Sequence, residues 1–437
     1  MRARFAATLP LILAACGDNT APAGARSGDR LALYGFTFSD GTRQADRGIY
    51  RDVARDEDCV LEAWSDGGTY CTPFATTPVY TDGTCSEPVA RLAPSLNIPL
   101  AYARIVFVSS NGTRLDSKLR TLGAPRAVAQ YWTDVDGTCS GPFEPSDGAT
   151  FRDLTTTELA ADAFVRVKTL PDGVDDRLAP LRQRTDDGLS LPIGFHDREL
   201  ALDCTVDPAA GRDTSQCVPT AAELGRYFTD ATCTTPSISA ALGSTATAIV
   251  STTTACATYY AVGTTLATTL YDGTPGHCVA TDPGGDYLTA GAQFVLADVT
   301  RTRGPAARRY SPITFDASDV RDVYVHDNVL DVDCSPRNDR CLPATEDTLL
   351  ATLYSDAACS STQQLVYVPT AACGAIATYV DDGSQLFTIG PVVTAPVYEI
   401  STSEICAPAL PRDGKGLHSL GTAVPYDGFG AVTRDVL

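Results

Sequence analysis

Lysine, histidine, methionine and tryptophan are all scarce in this sequence. Its 437 residues include one Met, two Trp and four His, and the lysines are Lys118, Lys168 and Lys415. Acidic residues number 53 against 33 basic ones, which gives a formal net charge of −20. Because an acidic surface repels polyanions, we expect neither nucleic acid nor a bare anionic lipid surface to be a partner.

Common catalytic and cofactor motifs are also absent. No CxxC or CxxCH occurs, which argues against the commonest zinc, thioredoxin-like and haem sites. The chain has no GxSxG, HExxH, phosphate loop or GxGxxG, so the usual signatures of serine hydrolases, metalloproteases and nucleotide-binding proteins are missing. We therefore expect no cofactor, and the sequence assigns no reaction.

Apolar stripes with a helical period are missing as well. No window keeps apolar residues at the 3.6-residue spacing, and Thr and Ser interrupt even the uncharged tract 231–271. Strand-like runs bounded by Asp-Gly pairs are frequent instead, and Asp-Gly tolerates the positive φ that tight hairpin turns need. This pattern predicts an all-β fold.

The first sixteen residues are typical of a bacterial lipoprotein signal peptide. Arg2 and Arg4 precede a short apolar run that ends in Leu-Ala-Ala-Cys at residues 13–16. This tetrapeptide resembles the lipobox, and the resemblance implies that Cys16 becomes a lipidated mature N-terminus. Residues 17–29 have no large apolar side chain and are predicted to be a flexible tether. We expect an exported protein anchored by lipid to the bacterial envelope, in the outer membrane or at the cell surface.

Three stretches of the chain repeat one pattern of aspartate, cysteine and proline. In each copy, one Asp lies seven residues before a Cys and another lies immediately before it. A second Cys is followed two residues later by Pro, and a third Cys ends an aromatic-x-Asp-x-x-Cys phrase. The recurrence predicts three Cys-containing repeat modules in tandem, spanning residues 30–178, 179–302 and 303–437.

The architecture of these modules admits two interpretations. Related aromatic-Asp-Cys phrases occur twice per module, although the last has lost its Asp, which suggests six similar short-strand units. Six units favour a six-bladed β-propeller-like fold, because radial repetition leaves few exposed strand edges. The alternative is a row of three β-sandwich or barrel modules, which fits the unequal spacing of the phrases better.

Fourteen cysteines remain after Cys16, and an even number in an exported chain favours disulfides over metal or redox sites. The repeat predicts a local bridge in each module: Cys59–Cys71, Cys204–Cys217 and Cys334–Cys341. It further predicts Cys85–Cys139, Cys233–Cys256 and Cys359–Cys373. Parity then leaves Cys278 and Cys406 to pair with each other.

The His-Asp pairs are the first candidates for chemistry. His196-Asp197 and His326-Asp327 occupy equivalent positions in two modules, and Arg51-Asp52 takes that position in the first. A His-Asp pair can orient a general base or bind a metal. An Asp near a strand end more often caps a turn or pairs with Arg, and Arg replaces His within this chain. A structural role is therefore the favoured interpretation.

Calcium and sugar chemistry are weaker candidates. Asp134 and Asp136 resemble the start of a calcium loop, but the twelfth position lacks an acidic residue, so an Asx turn is the structural alternative. Acidic pairs are abundant, which leaves a glycosidase with paired carboxylates open. Trp64 and Trp132 are expected to anchor the core or turns more than a sugar site.

The lipobox and the repeated Asp-Cys, Cys-x-Pro and Tyr-x-Asp-Ala-x-Cys phrases together resemble uncharacterised cysteine-repeat lipoproteins of myxobacteria and related Gram-negative bacteria. The resemblance covers nearly all of residues 30–437, and the first module departs from it by lacking a fourth Cys. It implies a location in the envelope and an architecture. It carries no assigned activity, so no functional residue is transferred.

The sequence thus favours a disulfide-stapled, lipid-anchored envelope or surface protein that serves as a binding or structural platform, without an enzyme activity. The expected partners are the membrane, through the lipid, and an envelope or extracellular protein or glycan. The alternatives are an exported glycosidase-like hydrolase and a calcium-dependent adhesion protein.

Overall fold

The structure is a computed structural model that describes residues 24–64, 66–94, 100–108, 114–135, 138–145, 148–173, 176–206, 214–223, 227–234, 238–239, 248–251, 258–266, 269–274, 277–281, 287–316, 318–343, 345, 348–369, 378–400, 406–409 and 415–437. Within these ranges the helical elements are two 3₁₀ turns, Ala161–Ala163 and Tyr426–Gly428. No helix in the described ranges has the length and apolar character needed to cross a membrane. The all-β prediction is confirmed.

The strands are numbered in chain order. The first predicted module contains β1 (Leu31–Phe38), β2 (Arg43–Asp52), β3 (Glu57–Ala63), β4 (Thr69–Pro73), β5 (Ala75–Thr76), β6 (Pro78–Tyr80), β7 (Pro88–Leu92), β8 (Tyr102–Val108), β9 (Arg114–Arg126), β10 (Tyr131–Val135), β11 (Thr138–Phe143), β12 (Thr150–Leu159) and β13 (Val165–Pro171). The second contains β14 (Leu178–Arg184), β15 (Ser190–Asp197), β16 (Leu202–Val206), β17 (Thr214–Pro219), β18 (Ala221–Glu223), β19 (Tyr227–Phe228), β20 (Ile238–Ser239), β21 (Ala248–Ser251), β22 (Thr258–Leu266), β23 (Leu270–Thr274), β24 (His277–Thr281), β25 (Tyr287–Phe294) and β26 (Asp298–Arg303). The third contains β27 (Tyr310–Phe315), β28 (Arg321–Asp327), β29 (Val332–Arg337), β30 (Arg340–Pro343), β31 (Leu349–Tyr354), β32 (Thr362–Pro369), β33 (Tyr379–Asp381), β34 (Leu386–Val392), β35 (Tyr398–Ile400), β36 (Cys406–Pro408), β37 (Lys415–Val424) and β38 (Val432–Val436).

Fifteen of the described strands form one antiparallel sheet, which we call the central sheet. Its order is β30-β29-β28-β27-β26-β17-β16-β15-β14-β13-β4-β3-β2-β1-β38. Strand β38 pairs with β1, and an isolated bridge joins Arg340 of β30 to Ala431, just before β38. The two ends of the central sheet therefore meet at one bridge, although none of the sheets formed by the described residues is closed into a barrel.

Each predicted module gives the central sheet four consecutive strands and one returning strand, and it inserts a smaller sheet between them. The first insertion has the order β11-β10-β6-β7-β12-β9-β8-β5, and the third has β36-β35-β31-β32-β37-β34-β33. In the second, the described strands form β24-β23-β19 and β20-β25-β22-β21-β18. Corresponding strands thus follow one order. The six-bladed interpretation is not confirmed, because fifteen strands are joined in a single sheet, and the module boundaries stay a prediction.

The core of the central sheet is built from alternating apolar residues that surround the local disulfides. Leu31, Leu33 and Tyr50 are fully buried against the Cys59–Cys71 bridge between β3 and β4. Each such side chain contributes about 1.5–3 kcal/mol by leaving water. Equivalent positions in the returning strands are also buried: Val167, Val299 and Val432. This packing fixes the outer ends of β2 and β3, where the candidate site lies.

Part of the predicted tether is bound to the folded body. Arg26 and Ser190 exchange two backbone hydrogen bonds of 2.7 and 2.9 Å. The Asp187 carboxylate accepts the backbone N–H groups of Arg30 and Leu31 at 2.7 and 2.8 Å. Residues 24–29 are therefore held by the second module, and residues 17–23 and Cys16 lie outside the described residues.

Candidate functional site

An arginine and a buried aspartate form the same clasp in all three predicted modules. The Asp is the one that lies seven residues before the first Cys of each copy. The Nη2–Oδ2 distances are 2.8 Å for Arg30–Asp52, 2.9 Å for Arg177–Asp197 and 2.8 Å for Arg309–Asp327. The remaining oxygen of Asp197 caps the β15–β16 turn by accepting the backbone N–H groups of Glu199 and Leu200. The recurring Asp is thus structural, as its repetition suggested.

The histidines of the His-Asp pairs contact a different aspartate from their neighbour in sequence. Adjacent residues of a strand point to opposite faces, so the His faces the Asp that precedes the Cys on the next strand. The distances are 2.6 Å for His196 Nδ1–Asp203 Oδ1, 2.8 Å for His326 Nδ1–Asp333 Oδ1 and 3.0 Å for Arg51 Nη1–Asp58 Oδ1. His196 and Asp197 therefore do not pair with each other, nor do His326 and Asp327, because an arginine clasp occupies the aspartate of each pair.

In the third module this cross-strand pair is closed by a buried arginine. Arg301 of β26 lies 2.8 Å from Asp322 and 2.5 Å from Asp333. Burial raises the pKa of Asp322. Burial alone would also raise the pKa of Asp333, but the charge and hydrogen bond of Arg301, with a bond from His326, hold it below its ordinary value. The result is a dry ion network that holds β26, β28 and β29 together.

In the first module the corresponding arginine and aspartate, Arg434 and Asp58, are separated by a tyrosine. Arg434 of β38 pairs with Asp46 at 2.9 Å, and its guanidinium carbon lies 3.9 Å from the centre of the Tyr34 ring. The Tyr34 hydroxyl donates to Asp58 at 2.6 Å. Tyr34 therefore lies between Arg434 and Asp58. The corresponding residues of the third module, Arg301 and Asp333, bond to each other directly.

A cavity of about 360 Å³ lies at this place in the first module. It is bounded by β2 and β3 of the central sheet, by the start of the first insertion and by β38. Its lining residues are Ile49, Arg51, Asp56, Glu57, Asp58, Pro73, Phe74, Ala101, Tyr102 and Arg434. We call this the module-one cavity.

The polar groups of the module-one cavity are held by one another. Arg51 bonds to Asp58 and also pairs with Asp56. The Tyr102 hydroxyl donates to Glu57 Oε1 at 2.6 Å and accepts from Arg55 Nη2 at 2.9 Å. Arg51, Glu57, Asp58 and Arg434 keep 27–34% of their side chains exposed. The cavity is thus a partly open site with fixed donors and acceptors.

The weaker candidates lie elsewhere. Asp134 is exposed on β10, opposite Cys139, and Asp136 lies outside the described residues. No group of three or more His, Cys, Asp or Glu side chains within the described ranges is placed to hold a metal ion. Trp64 is buried against Tyr70 and Phe164, which makes it a core anchor.

Six disulfides are formed by the described cysteines. The expected bridges Cys59–Cys71, Cys204–Cys217, Cys334–Cys341 and Cys85–Cys139 are present. Three predicted pairings are wrong, namely Cys233–Cys256, Cys359–Cys373 and Cys278–Cys406, because the bonds formed are Cys233–Cys278 and Cys359–Cys406. Cys256 and Cys373 lie outside the described residues.

The aromatic-x-Asp-x-x-Cys phrase explains these bonds. Its Asp accepts backbone N–H groups of the turn that follows, as Asp82 does from Thr84, Ser86 and Glu87. The third Cys of each module sits at positive φ in that turn: Cys85 at 51°, Cys233 at 53° and Cys359 at 51°. Each then bonds to the hairpin β10–β11, β23–β24 or β35–β36. Extending the alignment of the first module along the other two would have given these pairings.

Comparison with known proteins adds a family and no activity. Neither the curated proteins nor the solved structures contain a match to this chain. One family model, described as a family of unknown function (DUF7481), matches residues 9–429. That range covers the first two predicted modules and the third through the end of β37, and of the residues that line the module-one cavity it leaves out Arg434. The chain therefore belongs to DUF7481.

Proposed function

We propose that this protein is an exported, lipid-anchored binding protein of the bacterial envelope, of the cysteine-repeat type that its lipobox and repeats resemble. The disulfides of the described residues indicate an oxidising, extracellular environment. Lipid on Cys16 would hold the body at a membrane surface.

The observation that supports binding is the module-one cavity. Where the third module packs an arginine directly onto an aspartate, the first module separates the two groups and leaves about 360 Å³ of open space. Small-molecule sites typically have volumes of about 300–1,000 Å³ with a few fixed polar groups. The cavity satisfies both conditions.

Binding fits the cavity better than hydrolysis does. A glycosidase needs one carboxylic acid whose pKa is raised so that it can donate a proton. The cavity carboxylates are engaged by cations or hydroxyls: Asp56 by Arg51, Glu57 by Arg55 and Tyr102, and Asp58 by Arg51 and Tyr34. Asp322, whose pKa is raised, borders a space of only about 10 Å³.

Two measurements test the proposal. Metabolic labelling with a radioactive fatty acid should label the wild type and leave Cys16→Ser unlabelled. An unlabelled wild type would contradict the proposed lipid anchor. The full-length protein, purified in detergent, is then screened by thermal shift against a defined panel of sugars, amino acids, dipeptides and polyamines. A compound that raises the Tm of the wild type but not of Ala101→Trp, which fills the cavity, supports binding. A panel without any such compound contradicts it.

A further inference from the structure

We propose that the module-one cavity binds a neutral saccharide of one or two rings. This inference rests on the proposed function and names its ligand class. It depends on three features of the cavity, which are the mutual pairing of its charges, its apolar wall and its size.

Charge pairing favours an uncharged ligand. Arg51 is bonded to Asp58 at 3.0 Å, Arg434 to Asp46 at 2.9 Å, and the Glu57 carboxylate to Arg55 and Tyr102. A charged ligand would have to compete with one of these pairs. A sugar hydroxyl donates to a carboxylate oxygen and accepts from a guanidinium N–H at the same time. A sugar hydroxyl can therefore bond to the remaining donors and acceptors of an ion pair without separating the two charged groups.

The apolar side of the cavity suits the C–H face of a pyranose ring. Ile49, Pro73 and Phe74 line one part of it, next to the Tyr102 ring. Phe74 is half-buried, which leaves part of its ring accessible. Aromatic rings bury a large apolar area at low entropic cost, and Tyr adds a hydroxyl for hydrogen bonding.

The volume sets an upper limit on the ligand. A cavity of about 360 Å³ is close to the lower bound of about 300 Å³ for small-molecule sites, so it accepts one or two sugar rings and not a longer chain in full. A longer glycan would enter with an end or one internal unit.

The experiment is isothermal titration of the full-length wild type with glucose, galactose, N-acetylglucosamine and their disaccharides, with glucuronic acid, glucosamine and a dipeptide as charged probes. Asp58→Asn weakens the pairing with Arg51 and Tyr34 and should reduce the affinity for the bound sugar by at least about tenfold. The matched control is Asp203→Asn, the same change at the corresponding position of the second module, for which we expect less than about a twofold effect. Ala101→Trp provides a second variant that leaves every ion pair intact, so a folding defect in Asp58→Asn would not obscure the result.

The possible outcomes separate the ligand class from the function. A neutral sugar whose binding is lost in Ala101→Trp and kept in Asp203→Asn supports the proposal. Charged probes that bind in the cavity while the neutral sugars do not would overturn the ligand class and leave the binding function in place. Absence of binding by every probe, neutral or charged, would contradict both.

Discussion

Gly430 lies directly against the hydroxyl group of Tyr310, so that a Cβ atom at Gly430 would overlap the Tyr310 oxygen. The Gly430 carbonyl accepts the backbone N–H of Cys341 at 3.0 Å, and Ala297 accepts that of Cys217 in the same way. Gly430 therefore corresponds to Ala297 of the second module, and the Tyr310 hydroxyl occupies the space that an alanine methyl group would take at Gly430. This contact is where the two ends of the central sheet meet.

Gly430→Ala should lower the free energy of unfolding by about 1–3 kcal/mol, because overpacking forces the buried Tyr310 ring to move. Urea unfolding monitored by near-ultraviolet circular dichroism measures the change. Tyr310→Phe in the same chain should recover part of the loss, since it removes the overlapping oxygen. Equal stability of Gly430→Ala and wild type would show that the ends of the sheet are not tightly packed.

Asp327→Asn should lower the free energy of unfolding by about 2–3 kcal/mol, because it leaves the Arg309 guanidinium without its buried counter-charge. Asp203→Asn, at a half-exposed carboxylate, is the control and should change it by less than about 1 kcal/mol. Chemical denaturation of both variants measures the difference. Similar losses would contradict the structural role of the clasp.

Acid should weaken the same clasp. Burial alone would raise the pKa of Asp197, but the hydrogen bond and charge of Arg177 and two backbone N–H groups hold it below its ordinary value. A carboxyl with a lowered folded pKa contributes stability above its unfolded pKa of about 3.9, and the contribution is lost as the pH falls through the folded pKa. The urea midpoint of unfolding should therefore decrease as the pH is lowered below about 4. The decrease should be less steep in Asp197→Asn than in the wild type. Parallel curves would exclude this carboxyl as a source of acid sensitivity.

Removal of a disulfide should cost more where the closed loop is longer. Cys85–Cys139 spans 54 residues and Cys334–Cys341 spans 7. The chain-entropy relation gives about 4 kcal/mol for the first and about 2 kcal/mol for the second. Double Cys→Ser variants of each pair, compared by urea unfolding under oxidising conditions, test this order. A larger loss for the short loop would mean that its buried position in the core outweighs loop entropy.

The sequence was sufficient for the fold class and for interactions between neighbouring strands. Asp-Gly turns and strand-like runs predicted the all-β class, and the short spacing of Cys59 and Cys71 predicted a bridge between adjacent strands. The structural role of the recurring Asp could be predicted because the residue before it is His in two modules and Arg in the first. An Asp that is kept while this neighbour changes is expected to stabilise the end of the strand and not to take part in a reaction. These inferences depend on contacts within a few tens of residues.

Longer-range features could not be predicted in the same way. Proximity along the chain predicts a bond from Cys233 to Cys256, but the actual partner, Cys278, lies 45 residues away and is set by the pairing of β19 with the β23–β24 hairpin. The module-one cavity combines residues of β2 and β3 with Arg434, nearly 400 residues away, and it depends on Tyr34 taking the place between two charges. No local pattern marks such a substitution.

The pairing of β1 with β38 has a consequence for biogenesis. Thr433 bonds to Thr37 across 396 positions of the chain, so the outer edge of β1 stays unpaired until residues 432–436 are available to form β38. During that interval the edge can pair with any other extended segment. If the protein is exported as proposed, its production at high levels should therefore depend on a holdase chaperone, and depletion of that chaperone should yield aggregates.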